Sequence, residues 1–301
     1  MRILITGATG LIGSELSKLC LKEDIQVNYL TTSKEKIKNK KNYTGYFWNP
    51  KSGDFDMKCL EGVTTIVHLA GSSIAEPWSR ENKKKIIESR TETAAFLQEK
   101  LEKTTHTVQN FVSASAIGVY PSSYNKLYHE DDEEVADDFL GEVVEKWEAA
   151  ADNFEKEGLD VAKIRVGLVL AKDGGMLSQV KKPVKLNLGA PLGNGKQWQS
   201  WIHISDLACI FLFAIKKELS GVYNAVSPNP VTNRELTMEI AKQLNKSIWL
   251  PNVPGFVLKV ILGEMATIVL SSQLVSSKKI ASAGYNFEYV NMPNALSNLL
   301  K

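Results

Sequence analysis

The residues with the clearest chemical meaning are three closely spaced glycines near the N-terminus. They lie between a continuously apolar run and a segment whose apolar residues recur at helical spacing. A glycine-rich turn from strand to helix lets the backbone approach a pyrophosphate, which the amides at the helix N-terminus bind. Because strand, glycine spacing and helix coincide, we predict a dinucleotide site, against the alternative of a ligand-free turn. The predicted cofactor-binding residues of this turn are Gly7, Thr9, Gly10, Leu11, Ile12 and Gly13.

The residues after the second predicted strand bear on the choice of cofactor. An acidic residue there would bind the ribose 2′-hydroxyl of NAD. This chain instead has Thr31-Thr32-Ser33-Lys34-Glu35-Lys36, whose hydroxyls and lysines suit a 2′-phosphate. The sequence therefore favours NADP over NAD, with Ser33 and Lys34 as contacts. The alternative is a solvated basic loop, since lysines continue to Lys41.

Other polar residues follow later strands. Ser113 lies at the end of a predicted strand, where α/β sheets place ligand-contacting groups, although local backbone bonding would also explain it. Arg165, on the next predicted strand, could reach a cofactor phosphate or form a structural ion pair. Trp201 offers a stacking face and His203 titrates near neutral pH, so both are predicted substrate contacts, with core packing as the alternative.

Composition excludes several classes of protein. Thirty-six basic and 34 acidic residues leave a net charge of +2, too balanced to indicate nucleic acid as the partner. The three cysteines are widely spaced and the four histidines have no metal-ligand spacing, so we expect neither disulfides nor a metal site. No apolar run is long enough to span a bilayer. We therefore expect a cytoplasmic protein with a small-molecule substrate and no membrane partner.

The elements that must position these residues alternate between strands and helices. Apolar strands are predicted near residues 2–6, 26–31, 64–69, 110–113, 159–166 and 221–225, and long helices near 80–103 and 137–157. Such alternation predicts an α/β fold, a Rossmann-type doubly wound parallel sheet with helices on both faces. Glycines and prolines become frequent after Val166, which indicates a smaller C-terminal α/β lobe. We assign residues 1–166 and about 205–226 to the cofactor domain, and 167–204 and 227–301 to the smaller lobe.

Over nearly its whole length the chain resembles the extended short-chain dehydrogenase/reductases, the NAD(P)-dependent epimerase/dehydratase type. The matching motifs are the glycine turn, the strand end His68-Leu69-Ala70-Gly71, and Ser113-Ala114-Ser115 with Val119-Tyr120. The resemblance implies that Leu69, Ala70 and Gly71 line the adenine and ribose side of the cofactor. It also implies that the strand with Ser115 carries the catalytic serine.

A narrower resemblance is to an atypical subgroup of uncharacterised epimerase-like proteins with a C-terminal extension. The residues that carry it are Trp78, Ser89-Arg90, Phe139-Leu140, Trp147-Glu148, Arg165 to Leu170, Gly174-Gly175, Leu192 to Gln197, Ser200 to His203 and Gly263-Glu264. The apolar stripe from Phe256 to Leu270 in this extension would pack on the main domain, or alternatively form a homodimer surface.

One departure from the superfamily concerns its catalytic Tyr-x-x-x-Lys pair, which this chain lacks. Phe139 and Val143 have that spacing on the matching helix, and neither can transfer a proton. The chain would then be an NADP(H)-binding reductase or epimerase that uses another acid, such as Tyr120 or Tyr128 with Ser115. It could also reduce a substrate that needs little proton assistance, or be a nucleotide-sensing binding protein without turnover.

Overall fold

The computed structural model describes residues 1–301 as alternating strands and helices. The strands are β1 (Arg2–Thr6), β2 (Gln26–Thr31), β3 (Tyr43–Asn49), β4 (Asp54–Phe55), β5 (Thr65–His68), β6 (Asn110–Ala116), β7 (Leu127–Tyr128), β8 (Asp160–Val166), β9 (Leu168–Ala171), β10 (Trp198–Gln199), β11 (Trp201–His203), β12 (Gly221–Ala225), β13 (Val231–Thr232) and β14 (Leu274–Val275). The helices are α1 (Leu11–Lys22), α2 (Arg80–Glu102), α3 (Phe139–Asp152), α4 (Gly175–Lys185), α5 (Ile204–Lys216), α6 (Asn233–Gln243), α7 (Gly255–Leu262), α8 (Ala266–Leu270), α9 (Lys278–Ser282) and α10 (Met292–Leu300). No helix is long and apolar enough to cross a membrane.

Eight strands form the main sheet in the order β12-β8-β6-β5-β1-β2-β3-β4. All neighbouring pairs are parallel except β3 with β4, which is antiparallel at the edge. The chain leaves β1 in one direction along the sheet and returns to β5 on its other side. The carboxyl ends of β1 and β5 therefore flank a crevice, the place where open α/β sheets bind ligands.

Helices cover both faces of this sheet because its central strands are apolar on both faces. On one face, α1 and α5 pack on Ile3, Ile5, Val112 and Ile164. On the other face, α2 and α3 pack on a second set that includes Leu4 and Phe111. This arrangement confirms the predicted Rossmann-type α/β fold with a doubly wound sheet.

The remaining elements form a smaller α/β unit with its own core. Strands β9 and β11 pair in parallel, and α4, α6 and α10 pack around Leu170, Trp201 and Leu296. The buried carboxylate of Asp206, in the first turn of α5, ties this unit to the main sheet. It accepts hydrogen bonds from the Tyr285 hydroxyl at 2.8 Å and from the amide of Tyr289 at 2.9 Å.

Candidate functional site

The glycine turn at the end of β1 is held too tightly for larger residues. Gly7 has φ +71°, and a Cβ there would lie 2.6 Å from the Leu69 carbonyl oxygen. A Cβ on Gly13 would lie 2.3 Å from the Gly7 carbonyl oxygen, so helix and turn meet backbone to backbone. Gly10 precedes α1 and offers no side-chain cap to the first-turn amides. Those amides are therefore free of side-chain partners where an anion would bind.

A polar chain fixes the second wall of the crevice, at the end of β5. The Thr6 hydroxyl accepts hydrogen bonds from the amides of Leu69 and Ala70, both at 3.1 Å. Its own proton is then directed to Nδ1 of His68, 2.9 Å away, so Nε2 of His68 carries the ring proton toward Thr93. Complete burial lowers the pKa of His68 from 6.5 to about 4. This histidine is thus a neutral group that holds the turn rather than an acid.

A basic cavity of about 460 Å³ opens beside the glycine turn, between α1 and the loop after β2. Ala8 and Thr9 of the turn line it, together with Lys18 of α1 and three alternate lysines of the loop, Lys36, Lys38 and Lys40. Glu35 is the one carboxylate in the lining. The lysines outnumber it, so the cavity favours an anionic group.

The two residues predicted to contact a 2′-phosphate lie beside this cavity rather than in its wall. The Ser33 amide donates to the Thr31 hydroxyl at 3.2 Å, which closes a tight turn after β2. The Lys34 ammonium stands 5.0 Å from the centre of the Phe47 ring. Alternation of the lysines does not separate Lys34 from Lys36 and Lys38, because all of them share it; the turn at Lys34–Lys36 decides which ones line the cavity.

Ser115 lies near the carboxyl end of β6, where its hydroxyl is already engaged. It donates to Oε1 of Glu148, on α3, at 2.5 Å. The same carboxylate takes two bonds from Arg165 of β8, at 2.8 and 2.9 Å. Burial would raise the pKa of the Glu148 carboxyl, but the Arg165 guanidinium and the Ser115 hydroxyl hold it below its ordinary value. Glu148 is therefore an ionised acceptor.

Tyr120 extends this network toward the C-terminal segment. Its hydroxyl accepts from Nη1 of Arg165 at 2.9 Å and donates to Oδ1 of Asn224 at 2.9 Å. The side chain is fully buried, and burial raises the pKa of its hydroxyl. Arg165, Tyr120 and Ser115 are thus joined around Glu148, and Ser113 bonds the carbonyl of Ala114 beside them.

The helix that would carry the missing Tyr-x-x-x-Lys pair presents apolar side chains on both relevant faces. Phe139 and Val143 pack with Ile86, toward α2. On the face that also carries Glu148, Val144 packs with the Tyr120 cluster, and Leu140 lies next to Gly118. Val144 and Leu140 are one and two turns before Glu148, so they lie toward the N-terminal end of α3 and the carboxyl edge of the sheet. No proton donor is present on either pair.

Trp201 and His203, predicted to contact substrate, lie in the interior of the smaller unit. The Trp201 ring is fully buried and donates from Nε1 to the Asn229 carbonyl at 2.9 Å. His203 caps α5 by accepting from the Ser205 amide at 3.1 Å, and its ring stacks on Tyr289. Burial also lowers the pKa of His203. Trp201 is thus a packed core residue and His203 a helix cap, while Nε2 of His203 is buried without a hydrogen-bond partner.

A cavity of about 420 Å³ lies where the N-terminal ends of α2 and α3 meet the C-terminal extension. Trp78 and Phe139 stack edge to face in its wall, with ring centres 4.8 Å apart. An ion pair between Lys83 and Glu264 links α2 to the extension across this cavity. The N-terminal ends of α2 and α3 follow the carboxyl ends of β5 and β6, so this cavity opens at the same edge of the sheet as the glycine turn.

Two residues that the sequence analysis did not assign a role have central positions. Glu148 joins Ser115 to Arg165, and Arg90 is buried against Gly71. Both stood in the subgroup motifs, but their partners come from distant parts of the chain. No group of three or more potential metal-ligand side chains comes together in the structure.

Fold and site together define a Rossmann-type α/β protein with a C-terminal extension. Residues 3–139 match the NAD dependent epimerase/dehydratase family, and residues 253–299 match a domain of unknown function, DUF1731. An epimerase family protein of Staphylococcus aureus, SA0724, is 35% identical over 99% of this chain and 98% of its own length. The chain therefore belongs to the NAD-dependent epimerase/dehydratase family, within the extended short-chain dehydrogenase/reductases.

Solved structures agree with this assignment. The human epimerase family protein SDR39U1, determined with NADPH, is 28% identical and superposes with a TM-score of 0.86 over 99% of both chains. A nucleoside-diphosphate sugar epimerase of Corynebacterium glutamicum is 30% identical with a TM-score of 0.79, and this chain spans 58% of its length.

Proposed function

We propose that this chain binds NADP(H) in the crevice between β1 and β5 and uses it to oxidise or reduce a small molecule. The observation that carries the proposal is the glycine turn, which is closed to any Cβ at Gly7 and Gly13 and leaves the α1 amides uncapped. Such a turn serves close approach of the backbone to a diphosphate. The NADPH bound by human SDR39U1, similar over the whole chain, supports the same assignment here.

The basic cavity supports NADP(H) over NAD(H). A 2′-phosphate adds about two negative charges to the adenine ribose, which lies near the end of the second strand in such folds. Lys36 and Lys38 line the cavity in that region, and Thr9 of the glycine turn lines its other side. We propose these residues as the main phosphate contacts, with Ser33 and Lys34 at the margin.

The remaining predicted contacts have roles in this proposal as well. Leu69, Ala70 and Gly71 line the crevice opposite the glycine turn. Ser113 and Arg165 support the crevice without direct contact to the cofactor. Their side chains are hydrogen-bonded inside the protein, to the Ala114 carbonyl and to Glu148. When bound, the nicotinamide supplies hydride transfer at its ring.

Ser115 constrains which substrates fit this chemistry. Its proton is directed to Glu148, so its free lone pairs can accept a hydrogen bond but its hydroxyl does not donate one to a carbonyl. The same holds for Tyr120, whose proton is directed to Asn224. We therefore infer that the substrate itself or a water molecule supplies or accepts the proton. We also infer that the substrate occupies the cavity lined by Trp78 and Phe139.

A second candidate function is favoured by the same absence of a free proton donor. Phe139 and Val143 have the spacing of the catalytic pair, Leu140 and Val144 have it on the adjacent face of α3, and all four are apolar. A protein that binds NADP(H) as a signal, without turnover, needs the glycine turn and the basic cavity but no acid.

The three unpaired cysteines, of which Cys20 and Cys59 are buried, support action in a reducing cytoplasm in either case.

Fluorescence titration with NADPH and NADH tests cofactor binding directly. We expect micromolar or tighter binding of NADPH and at least tenfold weaker binding of NADH. The double variant Lys36→Ala/Lys38→Ala should weaken NADPH binding about tenfold or more and leave NADH unchanged, because each lysine contributes a charge-assisted contact to the phosphate. The control is Lys51→Ala/Lys217→Ala, which removes the same charge from exposed sites. Failure of both nucleotides to bind overturns the proposal.

Turnover separates the two candidate functions. Purified protein is mixed with NADPH and a library of aldehydes, ketones and enones, and loss of nicotinamide absorbance is followed. Oxidation of NADPH by one substrate class, abolished in Gly13→Ala, supports the oxidoreductase. Tight NADPH binding with no oxidation across the library, and with a change in protein conformation on binding, supports the sensor.

A further inference from the structure

Arg90, on α2, is a buried cation for which the chain provides no carboxylate. The residue is 9% exposed, yet no acidic side chain lies within ion-pair distance of it. Its Nη1 donates to the Ile86 carbonyl at 2.8 Å and its Nη2 to the Ser72 carbonyl at 3.2 Å. Its Nε is buried without any partner. Burial accordingly lowers the pKa of the guanidinium to about 10.

The surroundings of this guanidinium fix it against the cofactor crevice. One side faces the indole of Trp147, whose ring centre is 4.7 Å away. The guanidinium also packs on Gly71, where an added Cβ would lie 3.1 Å from the guanidinium carbon. The neighbouring residues Leu69 and Ala70 touch Gly7 in turn, so a short chain of backbone contacts joins Arg90 to the glycine turn.

A buried charge without a partner is costly, and proteins keep one when a ligand or metal completes it. His68, a titratable group that interacts with Arg90, is neutral because burial lowers its pKa. Carbonyl dipoles of Ile86 and Ser72 satisfy part of the guanidinium but carry no net charge. A dinucleotide held between Gly7 and Gly71 would bring the negative charge of its diphosphate to the Leu69–Gly71 turn, on which Arg90 packs.

We propose that Arg90 is a buried counter-charge for the cofactor diphosphate, acting through the Leu69–Gly71 turn without direct contact. The proposal rests on the proposed binding of NADP(H). Arg90 is a positioning residue in this scheme: it holds the turn by its bond to the Ser72 carbonyl and adds a positive field beside the uncapped end of α1. A bound anion supplies the negative charge that the chain itself does not place beside Arg90.

The test compares cofactor affinity with stability of the free protein in Arg90→Met. This variant keeps much of the side-chain volume and removes the charge. We expect NADPH to bind about tenfold more weakly, because a unit charge at short range in protein of intermediate polarity changes affinity by that order. The melting temperature of the free protein should stay the same or rise, because a buried unpaired charge is removed. Lys84→Met, an exposed charge removed from the same helix, is the control and should change neither quantity.

Two further measurements assign the effect to the diphosphate. The loss of affinity in Arg90→Met should be the same factor for NADPH and NADH, because both carry the diphosphate. Adenosine, which has no phosphate, should show no difference between variant and wild type. Arg90→Lys keeps the charge and should recover part of the affinity for both dinucleotides, although it loses the planar stack on Trp147.

Opposite results would overturn the proposal. A free protein that melts at lower temperature with unchanged dinucleotide affinity would show that Arg90 is purely structural. A loss for NADPH alone would assign its charge to the 2′-phosphate. If Arg90→Met yields no folded protein, Arg90→Gln and Arg90→Lys are compared instead. Equal affinities of these two variants for a dinucleotide would refute the role of the charge. If wild type binds no dinucleotide, the proposed function fails as well, whereas binding with an unaffected Arg90→Met leaves that function standing.

Discussion

Replacing Glu148 by glutamine removes one charge from a buried ion pair while keeping the side-chain shape. The Glu148 and Arg165 side chains are 11% and 9% exposed, and two hydrogen bonds join them. Removing one partner of such a pair leaves the other charge buried and costs about 3–5 kcal/mol. Glutamine can still accept one bond from Arg165, so we expect the lower end, about 3 kcal/mol.

This loss should be visible in chemical and thermal unfolding at pH 7. For a chain of this length it corresponds to a fall in melting temperature of roughly 5 °C, because the entropy of unfolding is about 2.1 cal/mol/K per residue. The control is Glu145→Gln, an exposed position on the same helix that should change the free energy of unfolding by less than about 0.5 kcal/mol. The double variant Glu148→Leu/Arg165→Met should be more stable than either single change, because no unpaired charge remains.

The pH dependence of the free energy of unfolding tests whether the ionised Glu148 carboxylate stabilises the protein. The pKa of Glu148 is lowered in the folded protein, so its contribution to stability is present above the unfolded pKa of about 4.3. That contribution is lost as the pH falls through the folded pKa. Wild type and Glu148→Gln should therefore converge in stability at acidic pH. A difference below about 1 kcal/mol at pH 7, or one that does not shrink on acidification, would refute the ion-pair reasoning.

Three further predictions concern the turn, the strand end and the C-terminal clamp. Gly13→Ala should abolish NADPH binding in titration, because its Cβ would lie 2.3 Å from the Gly7 carbonyl oxygen. His68 has a pKa of about 4 in the folded protein, so on acidification the unfolded chain takes up a proton at higher pH than the folded chain does. The free energy of unfolding should therefore fall by up to about 3 kcal/mol between pH 6.5 and pH 4. In His68→Gln that slope in urea unfolding should be smaller. Asp206→Asn places an amide group against the backbone N–H donors and the Tyr285 hydroxyl. It should lower the free energy of unfolding by about 1–3 kcal/mol and make proteolysis of the C-terminal segment faster.

Matched variants keep these predictions specific. Gly118→Ala adds a Cβ that makes an ordinary 3.4 Å contact, so it should preserve NADPH binding. His106→Gln should leave the acid slope intact, and Asp160→Asn, at an exposed position, should leave proteolysis unchanged. Normal cofactor affinity in Gly13→Ala, an unchanged slope in His68→Gln, or wild-type stability in Asp206→Asn would each contradict the contact on which that prediction rests.

Local patterns predicted much of the fold. The bounds of β1, β2 and β12 agree with the apolar runs of the sequence, and Asp138 caps α3 through the amides of Leu140 and Gly141. The family resemblance was also correct, because its motifs depend on turns and strand ends that short stretches encode. β3 was not predicted: its apolar and polar residues do not alternate cleanly, and its place in the sheet depends on pairing with β2.

The contacts of the candidate site were less accessible to sequence reasoning. Trp201 and His203 were predicted to contact substrate, yet the structure surrounds both with the core of the smaller unit. Ser115 and Tyr120 were predicted to assist catalysis, and the structure directs both hydroxyl protons to internal acceptors. The residue types could be read from the sequence, but the direction in which each group is bonded depends on partners far away in sequence.

The sequence by itself determined the glycine turn, the alternation of strands and helices and the lack of a Tyr-x-x-x-Lys pair, because each is set by residues only a few positions apart. The tertiary structure decided which groups remain free to act. It paired Glu148 with Arg165 and left Arg90 without a carboxylate, although all three are ordinary charged residues in the sequence. Burial and pairing across the sheet decide whether a charge is neutralised, and those depend on how helices from distant segments pack.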